Sequence, residues 1–317
     1  MLHELNWGMP VILYLFLAGV GAGTVTVSAS VLLRGGGGGF GGRHFAIARY
    51  GALIGPLPVI IGTSLLVFEL GRPFRALNLF KLINLSPMNI GSWFLGLFIV
   101  VSVLYALLFL PWPPIIWDRL QPWRKALAWI CIPLGIGVAL YTGIMLGAMP
   151  SRPFWNSPIL ALLFLVSALS TGIALIIFAQ AMLYEPPPDN PAAEKRFHQS
   201  GYLLTASDLI LIGFELMVIF LFIMFAYLTV GNVKYAVAVI LPGGDLAAAF
   251  WLWVVVVGLL IPIIIELIYV VPKLLYHHDY ESSRTADMVI SLAVLAGGFM
   301  LRYVVVIAGQ VTGPVGL

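Results

Sequence analysis

Five ionisable residues stand inside long apolar runs of this 317-residue sequence: Glu69, Asp208, Glu215, Glu266 and Arg302, with Asp287 at the entrance to another run. Hydrocarbon makes such groups costly, so they face a bundle interior or a wet cavity, where they pair with one another or carry protons. Asp208 and Glu215 are seven residues apart, two helical turns, which sets them on one helix face about 10 Å apart along the axis. Two readings stand for this pair: a polar stripe balanced by Arg302, or a proton path that also takes in Glu266 and Arg302. For Glu266 and Asp287, a part in locking helix packing stands equally beside a functional one. A second group combines hydroxyls with an acid: Tyr14, Tyr141 and Ser92, with Trp93, Glu69 and Arg72. Hydroxyls can hydrogen-bond a carbonyl, and a neighbouring carboxyl can exchange a proton. Those two elements suit a quinone head group, whose electrons move together with protons.

These groups need membrane-spanning helices to position them. Charged residues make up only 9% of the chain and apolar ones 61%, against roughly 25% charged in ordinary soluble domains. A surface of this size cannot be covered with so little charge, which excludes intrinsic disorder, a nucleic-acid binder and a water-soluble enzyme. The net charge of +3 is too small to argue for an anionic partner. About 20 apolar residues cross a bilayer as a helix. Segments 10–33, 46–69, 91–110, 126–147, 158–182, 202–229, 248–271 and 286–308 meet that length, so the expected fold is an all-α polytopic membrane protein with eight transmembrane helices. Their continuous apolar character excludes a β-barrel, whose strands alternate in polarity. The first segment is too long for a signal-peptide core and follows His3 and Glu4 rather than a basic stretch, so it counts as a span.

Glycine and proline mark the breaks, at Gly35 to Gly39, Pro111-Trp112-Pro113-Pro114 and Pro186-Pro187-Pro188. The stretch 183–201 reads as the longest polar connection. It divides the chain into a first half over 1–182, with spans 1–4 and span 5, and a second half over 183–317, with spans 6–8. No internal repeat points to an inverted-repeat transporter. Gly19-Val-Gly-Ala-Gly23 lies within an apolar helix with no strand before it, so it reads as a close-packing surface, not a dinucleotide loop.

Orientation follows from the basic residues. Arg34, Arg43, Arg49, Arg119, Arg124, Lys125, Lys195, Arg196, Lys273 and Arg284 flank one set of span ends, ten against the five of Arg72, Arg75, Lys81, Arg152 and Lys234. Both termini are therefore expected on the outer, periplasmic side. In that frame Tyr14, Glu69, Tyr141, Ser92 and Trp93 share one depth near the outer surface, and the outer loops add Arg72, Asn89, Arg152 and Trp155. An interfacial aromatic belt is the simpler reading of Trp155 alone. The histidines His3, His44, His198, His277 and His278 all fall in expected termini or loops, which leaves no axial pair for a membrane haem b. The single Cys131 excludes an internal disulfide and an iron–sulfur cluster of the protein's own; no metal site is expected.

Several motifs occur in order: Trp7-Gly-Met-Pro10 leading into Tyr14 and Gly19-Val-Gly-Ala-Gly23, then Glu69-Leu-Gly-Arg-Pro73 and Ser86-Pro-Met-Asn-Ile-Gly-Ser-Trp93. Tyr141-Thr-Gly143, Arg152-Pro-Phe-Trp-Asn156, Gly297-Gly-Phe-Met-Leu-Arg-Tyr303 and Ala308-Gly-Gln310 follow. Together they resemble the NrfD/polysulfide-reductase membrane-subunit family over nearly the whole chain, as one domain over 1–317. The resemblance implies a haem-free anchor of two four-helix bundles in the cytoplasmic (inner) membrane. Its substrate would be a quinone, menaquinone or ubiquinone. Its partners would be a ferredoxin-like iron–sulfur subunit and a catalytic subunit, often a molybdopterin oxidoreductase. The quinone site would lie at the outer side of the first bundle, with Tyr14 and Tyr141 on the ring and Glu69 handling the proton. Some larger relatives are proposed to conduct protons through acids of the second bundle, where Asp208 and Glu215 lie. The rival readings are an ion- or proton-coupled transporter built on the intramembrane acids and a purely structural anchor.

Overall fold

The computed structural model describes residues 7–35, 44–69, 86–111, 113, 116, 119–183, 191–229, 231–276 and 283–313, without the side chains of 69, 87, 88 and 191–196. The regular elements among them are helices, and eight are long and apolar enough to cross a membrane. They are Met9–Arg34, Phe45–Phe68, Asn89–Leu107, Gln121–Gly147, Ile159–Leu183, Phe197–Leu228, Ala249–Tyr276 and Arg284–Val311, here spans 1 to 8. Each matches one expected segment to within several residues at its ends. The protein is a multi-pass membrane protein.

Local chemistry explains where the helices begin and end. Ser86 caps span 3 by accepting the Asn89 N–H at 3.3 Å, with Pro87 in the first turn, and Ser283 caps span 8 by accepting the Ala286 N–H at 3.1 Å. Such caps satisfy amide groups that the helix itself leaves open. At the far end of span 3, Arg124 of span 4 donates from Nε to the Leu108 carbonyl at 2.9 Å and lies over the Phe109 ring at 5.4 Å. Arg124 is fully buried. A residue counted among the basic groups flanking the span ends is thus also a helix C-terminal cap, placed where a cation complements the helix dipole. Span 2 is two helical pieces, Phe45–Ile54 and Pro56–Glu69, joined at Gly55. Pro56 has no N–H to continue the ladder.

Two elements depart from expectation. The helix of span 6 begins at Pro191, so residues 191–200 of the expected polar connection are its opening turns. Proline in the first turn followed by Ala192, Ala193, Glu194, Lys195 and Arg196 supplies both the start signal and strong helix formers. His198, expected in a loop, therefore sits on this helix, and His44 Nδ1 meets Ser200 Oγ at 3.0 Å to tie the start of span 2 to span 6. Span 7 opens as a π-helix, Ala249–Leu260, before becoming α-helical at Ile261. Pro262 follows the change; in α geometry its ring would press on the Gly258 carbonyl.

Span 1 is the hub, packed on spans 2, 4 and 5 and touching span 8, while span 5 also packs on spans 4, 6 and 8 and span 8 on span 7. The glycine run makes the central contact possible. A Cβ on Gly23 would run into the Ala168 carbonyl of span 5, and one on Gly172 would run into the Gly23 backbone. Gly258 and Gly297 bring spans 7 and 8 together in the same way. Without a hydrophobic drive between helices in lipid, such backbone-to-backbone packing is a principal source of association. Gly23→Val is expected to destabilise the protein by about 1–3 kcal/mol through overpacking, read as a lower unfolding midpoint in detergent. Gly213→Ala, where a Cβ meets nothing within 4 Å, should leave the midpoint unchanged or raise it.

Candidate functional site

Tyr14 of span 1 and Tyr141 of span 4 turn their phenol groups toward one another. Tyr14 is buried and Tyr141 half-buried. Three glycine-scale approaches wall them in. Gly62 of span 2 lies against the Tyr14 backbone, and Gly91 in the first turn of span 3 lies flush on the Tyr141 ring. Gly137, one turn before Tyr141, lies against the Phe94 ring. Ser92 is half-buried beside Gly91, while Trp93 is 45% exposed and Phe94 39%. The site thus has phenols inside and an aromatic flank outward. Tyr141 Oη donates to Met145 Sδ at 3.5 Å, a weak acceptor.

Glu69 ends the helix that carries Gly62, two turns further on, about 10 Å along the axis from the level of Tyr14. Its carboxyl group lies outside the described side chains, as do Arg72, Arg75 and Lys81 outside the described residues. The structure therefore brings together Tyr14, Tyr141 and the start of span 3 carrying Ser92 and Trp93. Phe94 and Met145 are members that sequence reasoning missed. Met145 carried a usable signal, since it lies four residues from Tyr141 on the same helix face.

A clamp closes this end of the molecule. Trp155 Nε1 donates to the Val305 carbonyl at 2.7 Å, its ring stacks on Trp7 at 5.2 Å, and it is 2% exposed. Gln310 exchanges two bonds with the Trp7 backbone, at 2.9 and 3.1 Å, and Arg152 donates to the Gln310 carbonyl at 2.9 Å. Trp155 is thus no belt residue. Its indole N–H has been drawn inward to a backbone carbonyl of span 8.

Behind the tyrosines, the intramembrane ions divide into two groups. Arg302 donates to Ser167 Oγ at 2.6 Å, to the Gly298 carbonyl at 2.9 Å and to the Phe164 carbonyl at 3.5 Å, and its guanidinium lies over Phe164 at 5.2 Å. Glu215 faces Ser167 and the charge of Arg302. Asp208, two turns away, belongs elsewhere: it accepts from Ser170 Oγ at 2.7 Å and faces Glu266 of span 7. All four ions are buried. Asp208 and Glu215 are thus both turned into the bundle but rest on different partners, Glu215 on Arg302 and Asp208 on Glu266. Ser167 and Ser170 of span 5 were not anticipated as site residues; their three-residue spacing within an apolar run was the available signal.

The two groups lie in file. A small cavity of about 10 Å³ is lined by Gln180, His198, Thr205 and Asp287 at the end where span 6 begins, about the room one water needs. Thr205, Asp208 and Glu215 continue along one face of span 6. At the far end, a Cβ on Gly19 would lie 3.3 Å from Arg302 Nη2. Gly19 is five residues from Tyr14, about 7 Å along span 1. Polar groups thus recur from the end where span 6 begins to the neighbourhood of the phenols.

The family model described as "Polysulphide reductase, NrfD" matches residues 1–314. The protein is similar to Protein NrfD of Escherichia coli (strain K12), 32% identical over 326 residues, 98% of this sequence and 96% of that one. It is also similar to a polysulfide reductase chain of Wolinella succinogenes, 30% identical over 319 residues, 96% of this sequence and 94% of the relative. A Protein NrfD homolog of Haemophilus influenzae is 27% identical over 282 residues, covering 84% and 83%.

Trp155→Phe keeps the ring but removes the bond to Val305. A stability loss of about 0.5–1.5 kcal/mol is expected from the lost hydrogen bond, measured as a lower unfolding midpoint, with the stack on Trp7 retained.

Proposed function

The protein belongs to the polysulphide reductase, NrfD family, and from that premise we propose that it is the quinone-reacting subunit of a respiratory oxidoreductase complex. It exchanges two electrons between menaquinone or ubiquinone in the cytoplasmic membrane and a ferredoxin-like iron–sulfur subunit at the outer face. That subunit connects it to a catalytic partner of the molybdopterin class, and the protein itself works without haem. A relative named as one chain of a polysulfide reductase supports assembly with further subunits.

The observation that carries this reading is the meeting of two phenols from distant spans, Tyr14 and Tyr141. Tyr141 has its O–H on a thioether sulfur, so turning it to a carbonyl oxygen exchanges a weak acceptor for a strong one. Tyr14, enclosed by spans 1 and 2, fixes the side from which the head group is held. Trp93 and Phe94, exposed toward the bilayer side of the site, offer an aromatic surface along which a flat ring can enter. Burial keeps water off the phenols and strengthens their bonds to the reacting oxygen. Glu69, at the end of span 2, exchanges the accompanying proton with the outer side. Arg72, Arg75 and Lys81 supply positive charge to dock the iron–sulfur partner.

The file of Asp208, Glu266, Glu215 and Arg302 supports a second element, movement of protons between the inner side and the quinone site during turnover. Its approach to Tyr14 through Gly19 favours this over an independent ion path.

Tyr141→Phe and Glu69→Gln are each expected to lower quinol-dependent turnover about tenfold or more, the effect of one lost transition-state hydrogen bond, while the complex still assembles. Unchanged turnover in both variants overturns the site. Glu215→Gln should abolish a proton gradient measured in vesicles and leave electron transfer largely intact; a surviving gradient makes the Glu215–Arg302 pairing structural.

A further inference from the structure

Asp208 and Glu266 meet with too few protons on their neighbours. Both side chains are fully enclosed, at 0% exposure. Ser170 satisfies Asp208 Oδ1, but Asp208 Oδ2 and both carboxyl oxygens of Glu266 meet no donor. Among the described residues, the surrounding elements do not make up the difference. Span 5 contributes Ser170, and span 6 adds Glu215 two turns on. Span 8 brings Asp287, a further acid acting on Glu266, and Arg302, whose bonds go to Ser167, Gly298 and Phe164. On span 7, Lys273 lies over the Tyr202 ring at 4.5 Å, about 10 Å along the helix from Glu266.

Two ionised carboxylates in contact, out of water and without a cation against them among the described residues, are untenable: each is desolvated and each repels the other. One proton resolves both difficulties, because the protonated carboxyl becomes the donor that its neighbour lacks. We propose that Asp208 and Glu266 form a single proton-binding site, an acid–carboxylate pair that shares one proton in the resting protein.

The pair then carries one negative charge. A second proton entering from the cavity between Gln180, His198, Thr205 and Asp287, one turn from Asp208 along span 6, makes it neutral. Breaking either O–H bond returns the proton and restores the shared state. Glu215, in the field of Arg302, is the next acceptor along the file. That the site is filled and emptied during turnover rests on the function proposed above; the shared proton rests on burial and contact alone.

Infrared spectroscopy of the purified full-length protein, with no quinone added, tests the shared proton. The wild type at neutral pH should show a deuterium-sensitive protonated-carboxyl band that disappears in Asp208→Asn and equally in Glu266→Gln, because either amide supplies the donor that lets the remaining acid ionise. Ser170→Ala, which keeps both acids, should shift the band without removing it. A band that survives in one single variant means that one acid holds its proton independently, and overturns the proposal. So does a band unmoved by Ser170→Ala, or a wild type that lacks the band and binds sodium there instead. Because no quinone chemistry enters the measurement, failure of the quinone site would leave the result unaffected.

Discussion

Inside hydrocarbon there is no water to satisfy a polar group, and the structure depends on that constraint throughout. Hydroxyls comply by bonding back to their own helix, as Thr24 does to Val20, Thr26 to Ala22 and Thr171 to Ser167. Charges cannot comply alone and recruit other spans. Arg124 satisfies the end of span 3, while Arg302 binds spans 5 and 8 and orients Glu215 of span 6. Replacing such partnered charges singly leaves the other group buried and bare, which is why breaking a buried pair is more damaging than its net contribution suggests.

The same constraint ties the phenol site to the polar file. Spans 1 and 5 approach backbone to backbone at Gly23 and Gly172, and this draws Ser167, Ser170 and Arg302 close to the helix that bears Tyr14. A bulkier seam would push the file away from the site and leave two unrelated polar islands. Small residues here are thus positioning devices as much as packing ones. The clamp of Trp7, Trp155, Arg152 and Gln310 ties the same helices together, through bonds to the Gln310 side chain and to the Gln310 and Val305 carbonyls.

Legibility in the sequence follows the range of the forces involved. All eight spans could be read, because an apolar run of about 20 residues has one stable fate in lipid. The close-packing role of Gly19 to Gly23 was equally readable, since small residues at helical spacing leave few alternatives. The opening turns of span 6 were hidden by Pro186 to Pro188 and the charges after them, which look like a linker although Ala192 to Arg196 are good helix formers. The burial of Trp155 and the cap made by Arg124 were not readable, because composition reports polarity and not the carbonyl that a side chain will find. Tyr14 and Tyr141 could be placed at one depth from the helix directions, but depth alone does not turn two rings toward each other.

The sequence by itself determined a helical membrane protein, its eight spans and the small set of ions that had to be accommodated. These follow from local apolarity, turn residues and helical periodicity. The tertiary structure decided which of those residues meet: Tyr14 with Tyr141, Glu215 with Arg302 through Ser167, and Asp208 with Glu266. Pairing depends on how each helix is rotated and how closely it approaches its neighbours. Those quantities are set by contacts between distant segments, such as Gly23 on Ala168 and Gly258 on Gly297, and no single span carries them.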